Sequence, residues 1–317
     1  MQHRSVVEEL RERCRRCRVV RLFDPWGSPL CTCPPKYSLH PYTGCSHLCL
    51  YCYATTYVGF RRSVPKKGFL EKLRRDLKWL DPRFVINMST SSDPYPPEEA
   101  IHRLTRETLK LLLPAGYRVL ITTKGSLVTR DTDLLLEGNA AVTITITTLD
   151  REVAAKMEPG APSPRERLDA VEKLASEGVP VGVRIDPIVP GVNDDPGELR
   201  LLVREVFSAG ARFVVTSTYK ARPDNLSRMA SAFPELKETW RNLYRVRGRW
   251  MHGYWYLEEP LRIRLLEPVV SEASRLGMEY AVCREGFRNP RFLRARSCDG
   301  SHLVPLRVKP GGSRWPG

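Results

Sequence analysis

The sequence contains no apolar run approaching the roughly 18 residues a membrane-spanning helix needs, so no membrane association is expected. Its first residues, MQHRSVVEELRERCRRC, carry charge where a secretion signal would place its apolar segment, and the expected location is therefore cytoplasmic. Glutamine is almost missing, Gln2 being the only one, and lysine is scarce beside arginine. A shortage of thermolabile side chains fits a heat-adapted protein. Acidic residues are also in deficit: 36 Asp and Glu face 51 Lys and Arg, which leaves a formal charge of +15 at pH 7. Such a chain attracts polyanions, and phosphate-rich partners gain most because each neutralised phosphate releases counterions. Nucleic acid, DNA or RNA, is the expected partner class. No internal repeat or low-complexity segment interrupts the chain.

What is present is enough for one barrel-sized domain with terminal additions: 317 residues, 42% of them hydrophobic. Residues 1–36 form a basic, cysteine-containing extension, with a short helix followed by a segment punctuated by proline and glycine at 24–29 and 34–35. From Tyr37 onward, short apolar runs alternate with longer amphipathic stretches. Strands are expected near 37–42, 84–88, 118–122, 141–146, 179–185 and 212–215, and helices near 97–113, 127–136, 164–176 and 196–209. This alternation implies a parallel sheet, because only a crossover returns the chain to pair in parallel. Six βα units make either a doubly wound sheet or an incomplete barrel. In both, ligands bind at the carboxyl ends of the strands, where Ser92, Asp93, Thr123, Lys124, Thr147 and Asp186 collect. The core is expected to span 37–222. Residues 223–317 form an aromatic and basic region in which Trp240, Tyr244, Trp250, Tyr254, Trp255 and Tyr256 alternate with arginines. A last helix near 260–276 runs into an irregular tail.

Nine cysteines are many for a chain expected in a reducing compartment, where clustered thiols bind metal or do chemistry more often than they pair. Three of them, Cys45, Cys49 and Cys52, fall within eight residues on a loop just after the first core strand. Three thiolates so close can hold three irons of a [4Fe–4S] cubane and leave the fourth iron without a protein ligand. A structural zinc site would need a fourth ligand, and His47, between two of the cysteines, is awkwardly placed to supply it.

The C-x3-C-x2-C spacing, with Tyr51 directly before the last cysteine, resembles the signature of the radical S-adenosylmethionine (SAM) superfamily. Ser92-Asp93-Pro94-Tyr95, Thr123-Lys124, Arg130-Asp131, Met157-Glu158-Pro159, Arg167-Leu168 and Pro187-Ile188-Val189-Pro190-Gly191 follow in order. Over residues 20–225 the set is similar to the spore photoproduct lyase-like (DNA repair photolyase-like) family. The resemblance implies an α/β fold, a partial (β/α)6 TIM-type barrel. It also implies a [4Fe–4S] cluster whose open iron chelates SAM, and an electron donor such as ferredoxin or flavodoxin. Reductive cleavage of SAM would then give a 5′-deoxyadenosyl radical that abstracts hydrogen from substrate. By the same resemblance Tyr51 and Tyr53 pack near the cofactor, Lys124 pairs with the SAM carboxylate, Ser92 and Asp93 bond its amine or ribose, and Thr145 or Thr147 lines the pocket. In the family's lyase a cysteine three residues before the aspartate of the Ser-Asp pair returns hydrogen to the product. Here that position is Thr90, so reversal of a thymine lesion by that route is not expected.

Cys14, Cys17, Cys31, Cys33, Cys283 and Cys298 remain. Cys31, Cys33, Cys283 and Cys298 are candidates for an auxiliary iron–sulfur cluster, with Cys14 and Cys17 as a competing pair; disulfides, buried thiols and a hydrogen-donor role are the other readings. Two further functions compete with a radical enzyme acting on nucleic acid. One is the same chemistry on a protein or small molecule. The other is a non-catalytic, metal-stabilised nucleic-acid-binding protein in which Trp250, Tyr254 and Trp255 stack bases.

Overall fold

The structure is a computed structural model and describes residues 2–23, 30–88 and 90–307. The expected turn at 24–29 and the end of the basic tail, 308–317, lie outside the described residues.

Buried β-branched runs build one sheet of eight strands. They are β1 (Arg21–Leu22), β2 (Tyr37–Leu39), β3 (Ile86–Met88), β4 (Arg118–Thr123), β5 (Asn139–Thr145), β6 (Val181–Ile188), β7 (Phe213–Thr218) and β8 (Glu279–Val282). Every residue of β5 and β7 is buried, as a strand covered on both faces requires. The strands lie side by side in chain order. β1 runs antiparallel to β2, and every later neighbour is parallel, with Ile86 opposite Val119, Ile121 opposite Val142, and Val183 opposite Val214. A doubly wound sheet reverses its strand order at a switch point; this one never reverses, so the sheet is singly wound. Among the described residues its ladder is open, ending at β1 and β8.

The crossover helices begin where their capping chemistry dictates. Ser163 and Glu166 form a reciprocal capping box before Pro164–Ser176, and Asp195 caps Pro196–Ser208. The expected helix at 97–113 is two pieces, Glu99–His102 and Leu104–Leu112. The chain breaks at Arg103 (φ 48), and the Glu99 carboxylate accepts the Thr105 N–H of the second piece at 2.8 Å. The expected helix at 127–136 opens as a 3-10 turn, Ser126–Asp131, before Thr132–Glu137.

The largest departure is at the carboxyl end. Helix Glu259–Arg275 packs on Pro196–Ser208, and β8, expected to be irregular tail, adds to β7 in parallel with Tyr280 opposite Val214. One sheet therefore draws strands from both sides of residue 222. The aromatic region is mostly core: Trp240, Tyr244, Tyr254 and Tyr256 are buried, while Trp250 is 51% exposed. No helix among the described residues is long and apolar enough to cross a membrane.

Candidate metal and cofactor site

The cysteine loop, residues 44–53, follows β2 and is fastened on two flanks. It opens at Gly44 (φ +76), where a Cβ would lie 2.3 Å from the Arg62 carbonyl oxygen, so no larger residue fits. On one flank the Leu50 N–H donates to the Met157 carbonyl at 2.9 Å, and the Gly160 N–H to the His47 carbonyl at 3.0 Å. On the other, Arg228 donates to the Leu50 and Cys52 carbonyls at 3.1 Å each, and Asn225 to the Tyr51 carbonyl at 3.0 Å. Within the loop, tight turns join Leu48 N–H to the Cys45 carbonyl (3.2 Å) and Cys52 N–H to the Cys49 carbonyl (3.1 Å). Cys45, Cys49 and Cys52 consequently line one cavity of about 240 Å³ at the carboxyl ends of the strands.

His47 also lines the cavity, but its ring is held by other groups. Its Nδ1 lies 3.2 Å from the Gly160 carbonyl oxygen and its Nε2 3.2 Å from Asp93 Oδ2. Both ring nitrogens are engaged, so the triplet has no local fourth ligand of the kind a structural zinc ion needs. Among the described residues no group of three or more His, Cys, Asp or Glu side chains is gathered tightly enough for a single metal ion. Three soft thiols on one short loop with no fourth cysteine of its own suit an iron–sulfur cluster with one iron open. Burial, reinforced by the Asp93 carboxylate, pushes the free Cys45 thiol up to about 12.

Around the thiols stand the residues expected to hold cofactor. Lys124 follows the last residue of β4, and Thr145 ends β5; both line the cavity, as do Tyr51 and Tyr53. Tyr53 meets Tyr254 edge-on, with ring centroids 6.0 Å apart. Thr147 lies beyond the end of β5 and turns instead to Glu158, donating to it at 3.2 Å, so of the two threonines it is Thr145 that lines the pocket. Ser92 donates to the Gly44 carbonyl. Asp93 accepts from the Thr123 hydroxyl at 2.5 Å and from the Lys124 and Tyr95 N–H groups at 2.8 Å each. Burial opposes the charge on Asp93, but His47, Thr123 and the Lys124 N–H prevail and hold its carboxyl at about 2. Neither residue caps a helix: Ser92 fixes the cysteine loop and Asp93 fixes the strand end carrying Lys124. Thr90 also lines the cavity, its hydroxyl 2.9 Å from His40 Nε2.

The sequence reading gave no role to Glu158, which proves to be the hub behind the site. Fully buried, it accepts the Tyr51 hydroxyl and the Thr147 hydroxyl, pairs with Arg167 at 2.5 Å, and lies 3.9 Å from Lys124 Nζ. Burial works against its ionisation, yet Arg167 and Lys124 keep the carboxyl below its ordinary range. Met157-Glu158-Pro159 and Arg167-Leu168 stand in the ordered set of the sequence, but nothing local joins that acid to that base. Arg184 and Asp186 face the opposite wall and pair at 2.6 Å. Of the remaining cysteines, Cys31, Cys33 and Cys283 reach this same cavity, while Cys14 and Cys17 lie beside Asp76.

Comparison with known proteins agrees with this construction. The family model for the Radical SAM superfamily matches residues 39–203. An uncharacterized protein of Mycobacterium tuberculosis is 29% identical over 233 residues, spanning 67% of this chain and 68% of its own. The radical SAM Nalpha-GlyT isomerase of Pseudomonas phage M6 is 25% identical over 260 residues, spanning 77% of this chain and 53% of its own. A spore photoproduct lyase variant, solved with bound AdoMet and dinucleoside spore photoproduct, superposes with a TM-score of 0.60 at 19% identity. That match covers 80% of this chain and 76% of the lyase, and it is a likeness of fold. With its model matched over more than half of the sequence, the chain belongs to the radical SAM superfamily.

Proposed function

We propose that the chain carries a [4Fe–4S] cluster on Cys45, Cys49 and Cys52, binds SAM beside it, and takes a hydrogen atom from a nucleic-acid substrate. The observation that carries this reading is the convergence of the three thiols with Lys124, Thr145 and Tyr51 on one cavity at the strand ends. Once bound, the cluster and SAM, with an electron from a donor such as ferredoxin or flavodoxin, supply a 5′-deoxyadenosyl radical. The protein's own part is to position and to exclude water. Lys124 would offer a partly buried ammonium to the SAM carboxylate. Its nearest anionic partner, Glu158, is 3.9 Å away and already satisfied by Arg167, so the ammonium retains donor capacity. Tyr51, held by Glu158, and Tyr53 give apolar ring surface for the adenine, and Thr145 a hydroxyl beside it. Ser92 and Asp93 act by holding the cysteine loop and the Lys124 backbone. The open, singly wound sheet is read as an incomplete barrel whose mouth admits a bulky substrate.

Nucleic acid is the favoured substrate class because of the +15 charge and because the structurally similar lyase holds a dinucleoside. Thr90 keeps the reading from extending to that lyase's product, since a hydroxyl O–H is too strong a bond to donate hydrogen as a thiol does. Anaerobic reconstitution of the wild type should yield 5′-deoxyadenosine from SAM and reductant, and Cys45→Ala, Cys49→Ala or Cys52→Ala should each reduce that yield to background. Continued formation of 5′-deoxyadenosine by any of the three variants would refute the assignment.

A further inference from the structure

The six cysteines outside the triplet sort into two places. Cys14 and Cys17 lie beside each other near Arg21 and Asp76, the Cys17 thiol donating to the Arg13 carbonyl at 3.7 Å. The other four meet where three separate chain segments cross: Cys31 and Cys33 in the strap before β2, Cys283 directly after β8, and Cys298 in the tail behind it. Cys33 and Cys298 have their sulfurs 3.4 Å apart, Cys31 lies close to Cys33, and Cys283 lies within electrostatic reach of all three. Cys298 is 1% exposed and sits in a small apolar cluster with Phe213, Val215 and Ala281; Cys31, Cys33 and Cys283 face the cavity.

The surroundings are cationic. Lys36, paired with Asp299, acts on Cys33, and Arg184 and Lys220 act on Cys283. Cys298 is packed inside the apolar cluster and Cys33 and Cys283 lie against it, so these thiols meet both apolar neighbours and the cavity-lining cations Lys36, Arg184 and Lys220. A disulfide would use two of the four and leave Cys31 and Cys283 without a purpose. Four thiols brought from three segments, with cations to offset their charge, match the ligand number of a closed metal–thiolate centre. Three of the four, Cys31, Cys33 and Cys283, face the cavity, which leaves room beside the thiols for an occupant of more than one metal ion.

We propose that Cys31, Cys33, Cys283 and Cys298 ligate a second iron–sulfur cluster in the wall of the same cavity. Four thiolates complete its ligand set, so it would leave no iron open to substrate. It would instead tie the amino-terminal strap to the carboxyl-terminal tail and place a redox centre facing the cavity. The inference goes beyond the proposed function and stands independently of the triplet.

The test starts from the triple variant Cys45→Ala/Cys49→Ala/Cys52→Ala, reconstituted anaerobically with iron and sulfide and assayed for protein-bound iron, acid-labile sulfide and the spectrum of the reduced state. Iron and sulfide should remain bound, and both should be lost on adding Cys283→Ser or, separately, Cys298→Ser, while Cys14→Ser leaves them in place. In the reverse arm, Cys283→Ser on the wild-type background should keep the triplet's cluster, which shows that this variant is folded and separates failure here from failure of the main assignment. A triple variant free of labile sulfide, one holding only zinc, or one whose mass shows a Cys33–Cys298 disulfide under reducing reconstitution would overturn the proposal.

Discussion

At the scale of single residues, the site depends on buried charges whose partners differ in strength. Lys124 and Arg167 both face Glu158, but Arg167 pairs at 2.5 Å and Lys124 stands at 3.9 Å. Removing Lys124 therefore leaves Glu158 still compensated. Lys124→Ala should keep the iron content of the reconstituted protein and weaken SAM binding about tenfold to a hundredfold, the worth of a charge-assisted hydrogen bond of about 1.5 to 3 kcal/mol. Equilibrium binding of SAM to the reconstituted variant checks this, and an unchanged affinity would make Lys124 a partner of Glu158 and nothing more. Asp93 carries the clearest dependence on pH. Its carboxyl lies at about 2 in the folded chain against an ordinary 3.8. A depressed folded value adds stability that is complete above the unfolded value and is lost as pH falls through the folded one. The contribution of about 2 kcal/mol should thus disappear between about pH 4 and about pH 2. Urea midpoints taken across that window should drop more steeply for the wild type than for Asp93→Asn; equal slopes would remove Asp93 from the account.

At the scale of elements, the cysteine loop is placed by its neighbours' backbones, and one glycine makes this possible. A Cβ on Gly160 would come 1.9 Å from the Ser46 carbonyl oxygen, a contact that neither backbone can relieve by turning a side chain. Gly160→Ala should push the loop off the 157–160 segment, lowering cluster incorporation while the sheet, several residues away, keeps its secondary structure. Iron content measured beside circular dichroism tests this; full iron loading would mean that the approach of the two segments does not locate the loop. The elements themselves were legible to the degree that burial enforces a pattern. β4 through β7 are runs of buried residues between turn signals, and the helices at 164–176 and 196–208 start at Ser163 and Asp195 with proline next. β8 was not legible. Glu279–Val282 is four residues long and one of them is charged, so nothing local separates it from tail; it becomes a strand because β7 offers it a free edge. The triplet could be read because its spacing is local. The Glu158 hub and the His47–Asp93 contact could not, because each joins residues that only the fold brings together; the approach of Cys33 to Cys298 was open to the sequence only as one grouping among several.

At the scale of the whole molecule, the question is where the excess positive charge resides. Several buried bases are paired inside: Lys36 with Asp299, Arg167 with Glu158, and Lys220 and Arg262 both with Glu285. Charges paired inside add little to the external field, so it is the exposed arginines and lysines that present positive charge to a partner. Exposed arginines at 241, 245, 247 and 249 precede the exposed Trp250, and Arg245 lies over Trp255 with its guanidinium 5.0 Å from the ring centroid. Arg249–Met251 pairs antiparallel with Tyr254–Tyr256, and this hairpin meets the cavity wall through Tyr254, which packs edge-on against Tyr53. A polyanion held by such a surface must release the counterions it brings. Affinity for nucleic acid should therefore fall linearly with the logarithm of salt concentration, by a slope of about −0.9 per phosphate contacted on duplex DNA and about −0.7 on single strands. Fluorescence anisotropy with labelled duplex, single-stranded DNA and structured RNA across a salt series measures the slope, and the substrate form should be the one bound most tightly at fixed salt. A slope near zero for all three would mean that the charge serves only to keep the protein dispersed, and the proposed radical chemistry would then have to be sought on a protein or a small molecule.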